Sequence, residues 1–297
     1  MKRFTLILAV IALGAILFAG CERENDKGTV NLSITDAPID SDDIVGVYIK
    51  VIDVQYHLGG ANFESFPNFE GPQVYNLLDL TRGESAMVGA LELEAGHYTQ
   101  IRFILEAPER GMGAPTTPGC YVEFSDGSTE PLFVPSGSQS GFKGVGAFNV
   151  PANGSVDITA DFDVRKSVLR TGHNVERYVL KPTIRLVVDN EAGKIVGSVV
   201  NIPEGTEIVV YAYEDGAFSE TEAVEPALES PRFPNAVSSD MVCDQNSYHI
   251  AFLAPGVYDL VVVANVDGEF SQVLGIVEDV VVESKKTTTQ SIDIDTL

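Results

Sequence analysis

The sequence contains no tryptophan, and only three cysteines and four histidines occur among its 297 residues. Without tryptophan, any aromatic binding surface depends on the 10 tyrosines and 15 phenylalanines. The cysteines form no paired motif with zinc-type spacing. The histidines are scattered, and no two have the spacing of a metal-binding pair: His57, His97, His173 and His249. Neither residue type therefore predicts a metal centre.

Basic residues are also scarce, with 19 Lys and Arg against 43 Asp and Glu, which gives a net charge of −24. A chain this acidic repels phosphate backbones, so nucleic-acid binding is excluded as a function class. The charge favours cationic partners, calcium among them, or simply keeps the protein soluble. Apolar residues make up 44% of the chain, which is ordinary for a globular protein and does not indicate disorder.

Motifs of the common catalytic classes are missing. The chain has no Gly-x-Ser-x-Gly nucleophile elbow and no phosphate-binding glycine loop. The glycines of residues 135–148 are spaced like those of a flexible hairpin. Carboxylate pairs for sugar hydrolysis are uninformative among 43 acids. The sequence therefore predicts a protein that is not an enzyme, with a hydrolase as the weakest alternative.

The amino terminus has the pattern of an export signal. Lys2 and Arg3 precede an apolar run over residues 4–19, which is shorter than the roughly 20 residues that a membrane-spanning helix needs. Leu17-Phe18-Ala19-Gly20-Cys21 resembles the bacterial lipobox, although Phe18 stands where that motif usually has Leu, Val or Ile. The resemblance implies that residues 1–20 are a cleaved signal peptide and that Cys21 is acylated, for example with palmitate. The alternative is an ordinary signal peptide with an incidental cysteine.

Residues 21–28 follow as a polar tether. By analogy with bacterial lipoproteins, Glu22 directly after the cysteine argues against retention in the inner membrane. We therefore expect an exported protein that is lipid-anchored to the outer membrane. The acidic tether also resembles surface-export signals, which adds exposure at the cell surface as a further hypothesis.

Alternating apolar and polar residues rich in Val, Ile, Tyr and Phe predict strands nearly throughout the mature chain. The predicted strands span residues 29–35, 44–58, 97–106, 121–124, 130–134, 154–164, 177–188, 194–200, 206–214, 247–265, 277–282 and 287–295. One helical turn is expected within each of residues 76–93 and 163–169, and an insertion loop over 215–240. The pattern breaks near residue 190. We expect an all-β fold of two antiparallel β-sandwich domains in tandem, at residues 29–189 and 190–297.

Two family resemblances support this division. Four segments, spread over about 160 residues, resemble domain of unknown function 4382. They are "LSITDAPID" (32–40), "VYIKVIDVQYH" (47–57), "YTQIRFIL" (98–105) and "DFDVRKSV…YVLKPTIRLV" (161–187). Four later segments resemble the carboxypeptidase regulatory-like, or transthyretin-like, β-sandwich. They are "GKIVGSVV", "IVVYAYE", "FLAPGVYDLVVVA" and "VVVESKKTTTQSIDI". The second resemblance implies a supporting domain that is usually not catalytic, and the first implies no defined activity.

Three groups of residues are candidate sites. Asp36, Asp40, Asp42 and Asp43 fall within eight residues and could bind calcium through carboxylate oxygens, although their spacing matches no EF-hand loop. The alternative for Asp36 is a structural turn before Pro38. Asp161 and Asp163 share a strand face, as do Lys181 and Arg185, and we expect these four to form a structural ion-pair cluster, with Asp163 as a helix N-cap. Cys120 and Cys243 are either bridged or two buried free thiols, and the second reading is favoured.

The leading functional hypothesis is a surface binding or adhesion protein for an unknown glycan or protein ligand. It predicts a concave patch with convergent aromatic residues, among candidates such as Tyr48, Tyr56, Phe63, Phe66 and Phe69. The alternative is a structural or accessory subunit of a surface assembly, which accepts a donated strand along an exposed sheet edge. No cofactor is expected.

Overall fold

The computed structural model describes residues 26–37, 43–57, 62–107, 119–134, 141–171, 178–243 and 245–297. The predicted all-β class is confirmed, since strands make up 59% of the chain in several sheets consistent with β-sandwich domains. The predicted signal peptide (1–20) and acylated Cys21 lie outside these residues. Within them, no helix has the length and apolar character needed to cross a membrane.

Residues 27–188, called here the first unit, form one mixed sheet of 13 strands. The strands are β1 (Lys27–Thr35), β2 (Ile44–Tyr56), β3 (Glu64–Ser65), β4 (Gln73–Asn76), β5 (Ala86–Glu94), β6 (Gly96–Leu105), β7 (Tyr121–Phe124), β8 (Thr129–Phe133), β9 (Phe142–Val150), β10 (Ser155–Asp161), β11 (Val168–Arg170), β12 (Tyr178–Leu180) and β13 (Ile184–Val188). Their order is β11-β12-β8-β7-β2-β6-β9-β13-β10-β1-β5, with β3 and β4 paired to β2.

The long strand β2 joins the two halves of this sheet. Its first residues pair with β7, its middle with β4, and its last residues with β6 and β3. Side chains from both halves, such as Leu32 of β1 and Val122 of β7, belong to the same buried core. The alternation that predicts β1 is the alternation that buries Val30, Leu32 and Ile34 completely.

Two strands of the first unit, β5 and β9, lie in segments where the sequence pattern predicted no strand. The single helical turn expected within 76–93 is present as a 3-10 turn at Leu77–Leu80, and Ala86 then begins β5 at the edge of the sheet. Of the predicted flexible hairpin at 135–148, residues 135–140 lie outside the described residues, and Phe142 begins β9. In β9, Gly144 and Gly146 lie so close to Leu186 of β13 that a Cβ atom at either position would clash. Those glycines therefore permit a tight strand contact.

The short helix α1 (Val164–Ser167) follows β10. It begins at Asp163, whose side chain accepts a hydrogen bond from the backbone N–H of Lys166. Asp163 has φ of 36° and ψ of 70°, a left-handed conformation that is rare for a residue with a Cβ. The turn of helix that the sequence predicts within 163–169 is therefore present, and its cap is a buried carboxylate.

Residues 193–297, the second unit, form two four-stranded sheets. Their strands are β14 (Gly193–Val200), β15 (Glu207–Glu214), β16 (Ser238–Met241), β17 (Ser247–Leu253), β18 (Gly256–Val266), β19 (Glu269–Val282), β20 (Thr287–Thr289) and β21 (Ile292–Asp293). One sheet has the order β17-β14-β20 with β21 also on β14, and the other β16-β15-β18-β19. The core between the two sheets is apolar and includes Ile195, Val210 and Leu260.

The polar segment 215–240, predicted as an insertion loop, covers the outer face of β15. Phe218 and Phe233 of this segment pack against Tyr211 and Tyr213, whose side chains point away from the core between the sheets. Because both faces of β15 are covered, nearly the whole strand is buried. The segment then ends in β16, which pairs with β15.

Every strand up to Val188 belongs to the sheet of the first unit, and every strand from Gly193 onward belongs to the other two sheets. The division into independent domains at 189/190 stays a prediction, because the two units share an extensive polar interface.

Candidate functional site

Five basic side chains of the first unit bind acceptors on the second. Three of them donate to backbone carbonyl oxygens: Arg165 to Arg232 and Phe233 at 3.0 Å each, Arg185 to Phe252 at 2.8 Å, and Lys166 to Ala236. The other two pair with carboxylates, Arg82 with Asp240 at 2.6 Å and Lys181 with Glu229 at 2.9 Å. All five donors come from one side of the contact, so the first unit presents a basic docking face.

Of the four residues in the predicted ion-pair cluster, the structure brings two into direct contact. Arg185 Nη2 donates to Asp161 Oδ2 at 2.7 Å, and the Asp161 side chain is nearly buried. Asp163 pairs instead with its neighbours in α1, Lys166 at 3.0 Å and Arg165 at 3.4 Å. Lys181 lies in the connection between β12 and β13, so it does not share a strand face with Arg185, and it pairs with Glu229 of the second unit at 2.9 Å.

Asp36 lies beside this cluster, with its side chain directed into the protein. Its Oδ1 accepts a hydrogen bond from the Val164 backbone N–H at 2.7 Å, at the start of α1. Burial raises the pKa of Asp36 well above its ordinary value, and the nearby Asp161 and Asp163 carboxylates add to the rise. Asp36 therefore ties the end of β1 to α1, which is a structural role of the kind that the sequence left open.

The predicted calcium group is divided in the structure. Asp40 and Asp42 lie outside the described residues, Asp36 is buried, and Asp43 is exposed on another surface. In the described part of the chain, no group of three or more His, Cys, Asp or Glu side chains is placed to hold a metal ion. Calcium binding by the four aspartates stays a prediction.

A second polar contact joins the units through Arg82. The Arg82 guanidinium binds the Asp240 carboxylate and reaches the Ser247 hydroxyl at 3.2 Å. Asp240 also accepts from the His249 backbone N–H at 2.6 Å. Burial raises the pKa of Asp240 to about 6, although Arg82 and this backbone donor both oppose the rise. A partly desolvated carboxylate therefore lies in the contact between the units.

A cleft of about 970 Å³ lies between the two units. One wall comes from the ends of β2, β7, β8, β11 and β12 of the first unit, and the other from segment 225–233 and the β18–β19 turn of the second. Its polar and charged lining includes Asp43, Asp126, Glu130, Arg165, Arg170, Glu225, Arg232, Asn265, Asp267 and Glu269. A cleft of this size can hold a small oligosaccharide or a short peptide segment.

Aromatic rings line both walls of the cleft. On the first unit, Phe124 and Tyr178 form a tilted pair with ring centroids 5.7 Å apart, and both are partly exposed. On the second unit, the Arg232 guanidinium lies 4.2 Å from the centre of the Phe270 ring. Phe124 and Tyr178 thus present apolar surface beside hydrogen-bonding groups, a combination that suits binding of a glycan or a protein segment.

The aromatic residues that the sequence suggested for a binding patch lie elsewhere. Phe66 is buried, and Tyr56 and Phe69 pack against the core of the first unit. Tyr48 stacks on Tyr121 at 4.5 Å, and Phe63 lies under the Arg102 guanidinium at 4.1 Å. No sequence motif indicates Phe124 or Tyr178, because they belong to two separate short strands and are 54 positions apart.

The two remaining cysteines are both free. Cys120 is fully buried, and burial raises its pKa to about 12. Cys243 is exposed, so the expectation of two buried thiols is wrong for this residue. Its hydrogen bond with the Ser247 hydroxyl, 3.2 Å away, lowers the Cys243 pKa. It lies on a turn directly after β16, which explains its exposure.

Comparison with known proteins gives one family match. The family described as "Domain of unknown function (DUF4382)" matches residues 27–182. No curated protein matches the chain. The resemblance of the second unit to carboxypeptidase regulatory-like domains stays a prediction.

Among solved structures, the chain is distantly similar to pilins and a fimbrial anchor protein. The minor pilin GBS52 of Streptococcus agalactiae has 14% identity and a TM-score of 0.23, with 89% of this chain and 94% of that chain covered. A streptococcal ancillary pilin has 10% identity and a TM-score of 0.22, with 90% and 68% covered. The fimbrial anchor protein Mfa2 of Porphyromonas gingivalis has 11% identity and a TM-score of 0.19, with 84% and 82% covered. Scores this low do not establish a shared fold or a function.

Proposed function

The chain belongs to the DUF4382 family, and we propose that this member is an exported, lipid-anchored binding protein of the outer membrane or cell surface. In this proposal it is not an enzyme. Its ligand is a glycan or a protein segment, and the ligand enters the cleft between the two units. The lipobox-like sequence at Cys21 supports the location.

The observation that carries the binding role is the cleft itself. It combines partly exposed aromatic rings, several arginines and several carboxylates in one volume of about 970 Å³. The walls come from two units held together by Arg82, Arg165 and Arg185. A site shaped by a fixed interface loses less entropy when it binds a ligand than a site on mobile loops does.

A screen of the mature chain on a glycan array and a peptide array tests the proposal. The decisive variant is Tyr178→Ala, which removes one ring from the wall of the cleft. The matched control is Tyr48→Ala, since Tyr48 belongs to a stacked pair of the same unit outside the cleft. We expect Tyr178→Ala to weaken binding about tenfold, equivalent to roughly 1.4 kcal/mol, and Tyr48→Ala to leave it unchanged.

Two results would contradict the proposal. If Tyr178→Ala and Tyr48→Ala bound the ligand with equal affinity, the cleft would not be the binding site. Absence of any ligand on both arrays would remove the binding role and leave the assembly role to be tested.

The assembly alternative has one observation in its favour. Strand β19 has 14 residues and forms one edge of its sheet, with β18 as its partner. Three register shifts interrupt the β18–β19 pairing, and Asp279 has a left-handed φ of 62°. Such irregularities twist an edge and discourage the addition of another strand. The binding role is therefore better supported.

A further inference from the structure

The first unit has two opposite poles. β1 and β10 run parallel, with Thr29 beside Ser155 at one end and Thr35 beside Asp161 at the other. The amino-terminal end of β1 lies next to the turn between β9 and β10, where Asn153 N–H donates to the Lys27 carbonyl at 2.7 Å. We call this end the anchor pole and the Thr35 end the docking pole. The eight residue steps from Lys27 to Thr35 separate them by roughly 26 Å at about 3.3 Å per residue.

The second unit contacts the docking pole. The Thr35 hydroxyl lies 2.8 Å from the Leu80 carbonyl and 2.7 Å from the Glu84 carbonyl and shares its one hydrogen between them, which positions the loop that carries Arg82. Arg82 binds the second unit, as does Arg185, which pairs in β13 opposite Asp161. The structure thus places the chain entry to the first unit and the docking face at opposite ends.

The cleft also opens at the docking pole. β2 runs antiparallel to β6, and β6 begins at the anchor pole beside the end of β9. The start of β2 therefore lies toward the docking pole, where Ile44 pairs with Phe124. Both residues line the cleft.

From these positions we propose an orientation on the membrane: the anchor pole faces the lipid, and the second unit and the cleft lie on the side away from it. The inference rests on the proposed acylation of Cys21. Six residue steps separate Cys21 from Lys27, so the anchor pole is held within roughly 20 Å of the bilayer even if the tether is fully extended. The cleft and the second unit lie at least one strand length farther out.

Charge at the anchor pole is consistent with a unit that stands above the lipid rather than inserting into it. Glu92 and Glu94 are exposed there, opposite Thr29 and Lys27 in the β1–β5 pairing. Exposed carboxylates are repelled by anionic headgroups and are costly to bury in lipid. The pole therefore faces the membrane surface across the tether, and the cleft remains open to ligands from outside.

Förster resonance energy transfer from a dye on the protein to a dye in the membrane tests the orientation. The full-length lipidated chain is reconstituted in phosphatidylcholine vesicles that carry rhodamine-labelled phosphatidylethanolamine as the acceptor. The donor dye is placed on the exposed Cys243 of the second unit, since Cys120 is buried and we expect the folded protein to shield it from the dye. The matched variant Cys243→Ser/Glu92→Cys carries the same dye at the anchor pole. The acceptor-free vesicles give the reference donor emission for each protein.

We expect at least about twofold higher transfer efficiency from position 92 than from Cys243. Glu92 lies opposite Thr29, six residue steps or roughly 20 Å from the docking pole, whereas Cys243 lies beside Ser247, which Arg82 contacts at that pole. Equal transfer, or higher transfer from Cys243, would overturn the orientation. Flotation of the vesicles distinguishes a failure of the lipid anchor from a failure of the orientation. A chain that fails to float with the vesicles overturns the lipid anchor and, with it, the orientation, whereas a chain that floats with reversed transfer overturns the orientation alone.

Discussion

Arg185→Met removes the cation that neutralises Asp161 and joins the first unit to the second. Arg185 Nη2 lies 2.7 Å from Asp161 Oδ2, and Nη1 donates to the Phe252 carbonyl at 2.8 Å. Methionine keeps most of the apolar stem of the side chain and loses only the charge and its donors. The Asp161 carboxylate then remains buried near Asp36 without its guanidinium partner.

The expected destabilisation follows from burial. Breaking a buried ion pair by removing one partner costs about 3–5 kcal/mol, because the remaining charge stays desolvated. Asp161 is 5% exposed and Arg185 is 27% exposed, so solvent screens the pair in part and the lower end of that range applies. We expect a loss of about 3 kcal/mol, which is a large fraction of the roughly 5–15 kcal/mol that stabilises a typical domain.

The assay is urea unfolding followed by circular dichroism, since the chain has no tryptophan. Lys286→Met is the matched control, because it breaks an exposed ion pair with Glu283 at 2.8 Å and should cost less than about 1 kcal/mol. Adding Asp161→Asn to Arg185→Met should restore at least about 1 kcal/mol, since no unpaired charge remains. If Arg185→Met costs no more than Lys286→Met, or if Asp161→Asn restores nothing, the reasoning is refuted.

Three further predictions concern the contact between the units and the cysteines. Burial raises the pKa of Asp240 from 3.8 to about 6, so between these values this carboxyl group is more fully protonated in the folded chain than in the unfolded chain. The free energy of unfolding should therefore rise as the pH falls from 7 to 4, by up to roughly 3 kcal/mol from this group, and calorimetry of Asp240→Asn should show a smaller rise; identical pH profiles would contradict this. Mass spectrometry after maleimide treatment should show rapid labelling of Cys243 and labelling of Cys120 only after unfolding. Equal labelling rates of the two thiols in the folded protein would contradict the burial of Cys120 and the exposure of Cys243. Gly83→Ala should cost about 1–2 kcal/mol in urea unfolding, because φ there is +86° and a Cβ would lie 2.9 Å from His249 Cε1; an unchanged midpoint would contradict that contact.

The strands were predictable where alternation extends over several residues. The predicted strand at 121–124 coincides with β7, and the predicted strand at 29–35 falls within β1. β5 and β9 were missed because small residues and glycines dilute the alternation, and in β9 the glycines serve close approach to β13. The pairing of β1 with β10 in parallel was also beyond the pattern, since alternation does not encode strand direction.

The docking face was only partly predictable. The charge pattern placed Asp161 near Arg185 correctly, because both residues belong to neighbouring strands. It gave no sign of the acceptors on the second unit, since most of them are backbone carbonyls that every residue possesses. Glu229 lies in the polar segment 215–240 that the sequence predicts as an insertion loop, yet its side chain is largely buried against Lys181. A pairing across 48 positions and between two units leaves no local signal in the sequence.

The docking face leaves the acidic excess of the chain on the surface that a ligand meets. Five of the 19 basic residues are engaged between the units, and four carboxylates are paired with them, those of Asp161, Asp163, Glu229 and Asp240. Among the charged residues that line the cleft, six carboxylates outnumber three arginines, and two of the arginines, Arg165 and Arg232, are paired with Asp163 and Glu225. An anionic ligand would be repelled there at physiological ionic strength, where charges about 8 Å apart still interact. Among glycans and protein segments, neutral sugars and basic peptides therefore fit the cleft better than uronic-acid polymers or acidic peptides.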